Sequence, residues 1–300
     1  DRLSGDNRFK TSKAIAEKFA PGPVDSVVIT TGFTFPDALS GAPLAKNLNA
    51  PILLAGNKAD NAETLDYIKS HLNKDGTVYI LGGKKAISDD LVSQINALGY
   101  KKIKRLSGDN RYDTSKAIAE ELNVKEGTPV IITTGGDFAD ALSISSIAAA
   151  KGYPILLAEN DKLPAQTMAM LNKIKPEQVY IVGGEKVVSQ KAKNNIKSAS
   201  GLDDSKIVRL WGQDRYETGL NIAKHFNLEG DTCFIATGTD FPDALTGSVL
   251  AAKDNAPIIL VNKQAANQKA YIDSKKYSKL VLLGGEKVIS KDVEKSLIGK

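Results

Sequence analysis

The octapeptide RLSGDNRF at residues 2–9 returns as RLSGDNRY at 105–112 and as RLWGQDRY at 209–216. The repetition runs well beyond these eight residues. TTGFTFPDALS (30–40), TTGGDFADALS (133–143) and ATGTDFPDALT (236–246) are spaced by 103 residues, as are PILL, PILL and PIIL, which begin at Pro51, Pro154 and Pro257. A third segment, YILGGKKAIS, YIVGGEKVVS and VLLGGEKVIS, ends at Ser88, Ser189 and Ser290. Long self-similarity at a fixed period restricts the architecture more than any single motif does. A period near 100 residues is too long for a solenoid repeat and fits a tandem array of small domains.

Within each copy, short apolar runs alternate with amphipathic stretches, the pattern of βα units around a parallel sheet. In the second copy the runs are KIKRL, VIITT, PILLA and VYIVG, near-continuously apolar as strands covered on both faces tend to be. Apolar pairs four residues apart mark the first helix of each copy: Ile15 and Phe19, Ile118 and Leu122, Ile222 and Phe226. Ser88, Ser189 and Ser290 stand where a hydroxyl can cap a following helix. The expected fold class is therefore α/β. It comprises three tandem related domains (1–101, 102–205 and 206–300), each a small three-layer parallel-sheet unit of the Rossmann or flavodoxin-like βα kind. The linkers are too short to be tethers, so the units should pack together, as a pseudo-threefold cluster or as a bent row.

Forty basic residues against thirty-five acidic ones make the chain mildly basic, which permits an acidic partner. No apolar run approaches the roughly 20 residues needed to cross a bilayer, so membrane insertion is not expected. No leader-like segment opens these residues, and any leader is expected to have been removed. Cys233 is the single cysteine, at the strand position held by Val27 and Val130, and reads as a core thiol. The two histidines, His71 and His225, occupy different places in their copies and mark no repeated site. Neither G-x-G-x-x-G nor G-x-x-x-x-G-K-[ST] occurs. No catalytic group, metal or organic cofactor is expected, and no nucleic-acid partner.

Only six of the forty basic residues are Arg, and all six lie in the octapeptides. Lys would serve for a solvated charge, so these places need the planar guanidinium fork. Arg2, Arg105 and Arg209 end a strand and are expected to make structural bidentate contacts. Arg8, Arg111 and Arg215 sit on the loop entering the first helix and are expected to meet an anionic ligand at least in part. Asp37, Asp140 and Asp243 follow the second strand, either as helix-start carboxylates or as partners of an octapeptide Arg. Gly83, Gly184 and Gly285, with the glycine before each, are expected to let the chain turn sharply. All of these motifs gather at the carboxyl ends of the strands, where parallel sheets usually bind ligands.

R-L-x-G-x-[ND]-R-[YF]-x-T together with T-G-x-x-F-x-D-A-L and P-I-L-L closely resembles the cell wall binding repeat type 2 family, over essentially the whole chain. The resemblance implies the anchoring module of a Gram-positive, clostridial-type S-layer or cell wall protein. Such a module would be secreted, non-catalytic and monomeric with internal threefold repetition, and would bind an anionic wall glycopolymer. It also links polymer attachment to Pro51, Ile52, Leu53 and Leu54, to Pro154, Ile155, Leu156 and Leu157, and to Pro257, Ile258, Ile259 and Leu260. Read physically, the same runs are first of all buried strands. Two rivals stand beside the anchoring reading: a structural scaffold for another surface protein, and an enzyme acting on a phosphosugar or nucleotide at the strand ends.

Overall fold

A computed structural model describes residues 1–56 and 61–299 and, among them, twelve strands and twelve helices arranged around three four-stranded, fully parallel sheets. The first repeat runs β1 (Arg2–Leu3), α1 (Arg8–Phe19), β2 (Val24–Thr31), α2 (Gly41–Asn47), β3 (Ile52–Ala55), α3 (Ala62–His71), β4 (Leu72–Leu81) and α4 (Asp89–Ala97). The second runs β5 (Lys102–Leu106), α5 (Arg111–Leu122), β6 (Val130–Thr134), α6 (Ala139–Lys151), β7 (Ile155–Ala158), α7 (Ala165–Ile174), β8 (Val179–Val182) and α8 (Gln190–Ser200). The third runs β9 (Ile207–Leu210), α9 (Arg215–Phe226), β10 (Thr232–Thr237), α10 (Pro242–Lys253), β11 (Ile258–Val261), α11 (Ala266–Lys275), β12 (Lys279–Leu283) and α12 (Lys291–Ile298). The α/β reading of the apolar runs holds in every repeat.

The strand orders are β3-β2-β4-β5, β7-β6-β8-β9 and β11-β10-β12-β1. Each repeat thus lends its opening strand to the sheet of the repeat before it. The third sheet is completed by the start of the chain, with Arg2 opposite Leu282 and Leu3 opposite Leu283. The Gly284 amide donates to the Leu3 carbonyl at 2.9 Å, and the amino terminus donates to the Leu280 carbonyl at 2.9 Å. Three repeats therefore close into a ring by strand exchange.

The ring is filled by the helices that begin in the D-A-L motif. α6 packs against α2 and α10, and α10 also packs against α2, so these three equivalent helices meet at a common axis. Their sequences are rich in Gly, Ala, Ser and Thr, which lets helix backbones approach closely. Buried Ser143, Thr246 and Ser248 return their hydroxyls to their own helix carbonyls, whereas the buried Ser146 hydroxyl has no partner among the described residues. Phe35, Phe138 and Phe241 cap the axis as a trio, with ring centroids 5.5, 6.2 and 6.2 Å apart. The pseudo-threefold cluster is the arrangement adopted. α2 is shorter than its counterparts because Pro43 has no amide hydrogen and is tolerated only in a first turn, so the helix starts at Gly41.

The first helix of each repeat supplies the interface. α1 packs on α10, α5 on α2 and α9 on α6, in each case the central helix of the preceding repeat. The apolar pairs read from the sequence point into these contacts: Ile15, Phe19, Ile118, Leu122 and Ile222 are buried, and Phe226 is half-buried. Each such side chain contributes about 1.5–3 kcal/mol when fully buried, so the interfaces rest mainly on these stripes. No helix of the described residues is long and apolar enough to cross a membrane.

Candidate functional site

The octapeptide is a local device in which nearly every position has a physical task. Asn7, Asn110 and Asp214 are the N-caps of α1, α5 and α9, and each side-chain oxygen accepts from the two amides two and three residues on, at 2.9–3.0 Å. That explains why Asn and Asp interchange there. The glycines Gly5, Gly108 and Gly212 lie against the first turn of the following helix, where a Cβ would collide with Lys10, Asp113 and Glu217. Thr11 and Thr218 accept from the Gly5 and Gly212 amides at 3.0 and 2.9 Å, which pins the loop to the helix.

The opening arginines clamp the Gly-Gly turn of the preceding repeat. Arg105 Nη1 donates to the carbonyls of Gly82 (2.9 Å) and Ile87 (3.0 Å), and Arg209 Nη1 to those of Gly183 (2.9 Å) and Val188 (2.7 Å). Arg2 spreads the same task over its fork: Nη1 to Gly284 (2.8 Å), Nη2 to Ile289 (3.0 Å) and Nη2 to the Glu294 carboxylate (2.7 Å). Arg105 has a weak acidic partner in Asp89 at 3.5 Å. Arg209 has none, because Gln190 and Lys193 occupy the positions of Asp89 and Glu294, and its Nη2 is buried without a partner among the described residues.

The second arginines stand at three equivalent clefts, one at each junction between repeats. Each cleft is walled by the octapeptide loop of one repeat and by the D-A-L and Gly-Gly segments of the repeat before it. Volumes are about 590 Å³ between repeats 1 and 2, 550 Å³ between repeats 2 and 3, and 540 Å³ where repeat 3 meets repeat 1. Arg8, Arg111 and Arg215 each donate to the carbonyl of the T-G glycine in their own repeat (Gly32, Gly135 and Gly238). Two of them also reach across the junction. Arg8 Nη2 lies 3.2 Å from Asp240, and Arg215 Nη2 lies 3.1 Å from Asp137 while the guanidinium covers the Phe138 ring.

The partner of these arginines is therefore not the recurring aspartate of D-A-L but the acid three residues earlier. No ion pair joins Asp37, Asp140 or Asp243 to an octapeptide Arg among the described residues. Asp140 and Asp243 lie in the first turns of α6 and α10, and Asp37 lies in the turn before α2. All three carboxylates press on the first glycine of the Gly-Gly turn. Burial, aided by nearby Asp137, raises the Asp140 carboxyl to about 6; burial and Asp240 do the same for Asp243. The glycine requirement also shifts by one residue. Gly82, Gly183 and Gly284 carry φ of +114°, +114° and +107° and meet the aspartate, whereas a Cβ on Gly83 or Gly285 would face open space and one on Gly184 only the Trp211 ring at ordinary contact distance.

The PILL segments do not reach the clefts. Their prolines are buried, and Ile52, Leu53, Leu54, Ile155, Leu156, Leu157, Ile258, Ile259 and Leu260 are at most 1% exposed. Pro51, Pro154 and Pro257 pass their carbonyls to β2, β6 and β10. Their burial places these residues in the core and away from the cleft surfaces. Cys233 is buried, which pushes its thiol up and out of nucleophilic use. No group of three or more potential metal ligands occurs among the described residues. The sequence reading passed over Asp137, Asp240 and the Phe trio; the recurrence of Phe in T-G-x-x-F was the available signal for the trio.

Comparison with known proteins adds the following. The family Cell wall binding domain 2 (CWB2) matches residues 2–92, 105–193 and 209–294. The amidase enhancer of Bacillus subtilis is 35% identical over 300 residues, covering 99% of this chain and 40% of that protein. The N-acetylmuramoyl-L-alanine amidase LytC of the same organism is 31% identical over 298 residues, covering 99% of this chain and 57% of that protein. Among solved structures, Cwp8 from Clostridium difficile superposes with a TM-score of 0.90 at 28% identity, over 100% of this chain and 51% of that one. Cwp6 from the same organism gives 0.84 at 29% identity, over 95% and 45%. The chain thus spans about half the length of these relatives.

Proposed function

The chain belongs to the cell wall binding domain 2 family, and on that premise we propose that it is a non-catalytic module that anchors a surface protein by holding an anionic wall glycopolymer in its junction clefts. The observation that carries this reading is the placement of Arg8, Arg111 and Arg215. Three guanidinium groups at three equivalent clefts on one rigid ring suit a ligand that itself repeats. Once one cleft is engaged, the others meet the next units of the polymer at high effective concentration, so modest contacts sum to durable attachment. The clefts are lined by charged side chains and, among the described residues, contain no His or Cys, which favours binding over catalysis. The module works at the cell wall surface, and the remainder of a longer protein would supply any enzymatic activity.

The test is retention of the 300-residue chain on purified Gram-positive cell walls before and after chemical removal of their anionic polymers. The anchoring reading requires retention to be lost on removal and to fall as salt rises, since exposed charges are screened within about 10 Å at 0.1 M ionic strength. Undiminished retention on stripped walls would point to a protein or peptidoglycan partner.

A further inference from the structure

Resting on the anchoring reading, we infer that the three clefts, corresponding in the fold, are unequal in strength and that the cleft between repeats 1 and 2 is the principal site for the polymer's oxyanion, a phosphodiester or a carboxylate. In the other two clefts the outer guanidinium nitrogen is already engaged, Arg8 by Asp240 and Arg215 by Asp137. At the corresponding place in the first repeat stands Thr34, an exposed residue without charge. Arg111 therefore keeps its bond to the Gly135 carbonyl and has no carboxylate partner among the described residues.

The opposite wall changes in the same sense. Glu185 and Glu286 line the other clefts at a position that is Lys84 here, while the neighbouring Lys85 is matched by Lys186 and Lys287. The cleft between repeats 1 and 2 thus sets Lys84, Lys85 and Arg111 against Asp37 and Asp109. The cleft between repeats 3 and 1 sets only Arg8 and Lys287 against Asp6, Asp240, Asp243 and Glu286. An oxyanion entering there would have to displace Asp240 and face the remaining carboxylates. The cleft between repeats 2 and 3 sets Lys186, Arg209 and Arg215 against Asp137, Asp140, Glu185 and Asp214, but Arg209 is spent on the Gly183 and Val188 carbonyls and Arg215 is held by Asp137, so an oxyanion there meets the same obstacle. Among the described residues Lys84 is paired with Asp89 at 2.7 Å, an exposed contact, and such pairs are weak enough to yield to a ligand.

The test installs in the first repeat what its sisters carry. Thr34→Asp and Lys84→Glu are made in the full chain, and the reverse change, Asp240→Thr, frees Arg8. Retention is measured on polymer-bearing walls, and arginine side-chain resonances are followed by NMR during titration with glycerol 3-phosphate and, separately, glucuronate. Thr34→Asp/Lys84→Glu is expected to melt like the parent and to bind at least about tenfold more weakly, the consequence of losing one charge-assisted hydrogen bond. Asp240→Thr is expected to bind more tightly. The Arg111 resonance should move with the probe that carries the right oxyanion, and which probe moves it distinguishes phosphate from carboxylate. Parent-like retention by Thr34→Asp/Lys84→Glu, or movement of Arg8 or Arg215 in place of Arg111, overturns the assignment. A parent chain that walls do not retain at all overturns the anchoring reading instead.

Discussion

Replacing the three opening arginines by lysine, one at a time, should produce three different losses of stability. Arg2 uses both nitrogens of its fork, holding two carbonyls and Glu294, and it sits on the strand that closes the ring. A hydrogen bond to a charged group is worth about 1.5–3 kcal/mol. Lys can keep one of the three contacts of Arg2, and with partial solvent screening of the Glu294 pair the loss is about 3 kcal/mol. With an unfolding entropy of about 2.1 cal/mol/K per residue, that corresponds to a fall in Tm of about 5 °C for a chain of this size. In Arg105 and Arg209 a single nitrogen holds both carbonyls, a geometry that an ammonium group partly reproduces. Arg105→Lys should cost about 1–2 kcal/mol, and Arg209→Lys, which also removes a buried unpartnered nitrogen, under about 1 kcal/mol. Thermal melts followed by circular dichroism, with urea titrations as a second scale, read the order directly. Equal shifts, or the largest shift at Arg209, would refute the reasoning from contact geometry.

Deleting residues 1–7 removes β1 and the cap of α1 and exposes the β12 edge; the truncated chain should melt lower and form concentration-dependent oligomers by size-exclusion chromatography, since open strand edges recruit other chains. Because the folded-state values of Asp140 and Asp243 lie above the unfolded value of about 3.9, their full stability is present below about pH 4 and is lost as pH rises to about 6. The Asp140→Asn/Asp243→Asn variant should therefore exceed the parent in urea stability at pH 7 and lose that advantage by pH 4; a constant difference across this window would contradict the burial argument. Leu54→Ala or Leu157→Ala should destabilise by about 2–5 kcal/mol, and any loss of wall retention should track the fraction unfolded. A fully folded variant of either that no longer binds would return the PILL segments to the binding surface.

Much of this structure was legible in the repeats. The alternation of apolar runs and four-residue pairs identified each strand and the interface face of the first helices, because burial on both faces leaves a plain apolar pattern. Strand exchange was not legible, since RL and KIKRL announce a strand without naming its neighbour, and a parallel pairing is decided by packing far along the chain. The cross-junction pairs were hidden for a different reason. Asp137 and Asp240 recur in only two of three copies, with Thr34 in the third, so repetition alone does not mark them, while Asp37, Asp140 and Asp243 recur in all three. Their invariance reflects contact with a left-handed glycine, not an arginine. In the PILL runs the physical reading as buried strands describes the fold, and the structure places them in the core and not at the clefts.

The central claim is that the junction clefts, and no other surface, meet the wall polymer. Backbone amide hydrogen exchange of the full chain, with and without isolated anionic wall polymer, tests it most directly. The account predicts added protection in the loops 4–8, 107–111 and 211–215 and in the Gly-Gly turns that face them, strongest around Gly108–Arg111 and Gly83–Ala86. Protection confined to the outer helices α3, α7 and α11, with the octapeptide loops unchanged, would contradict it.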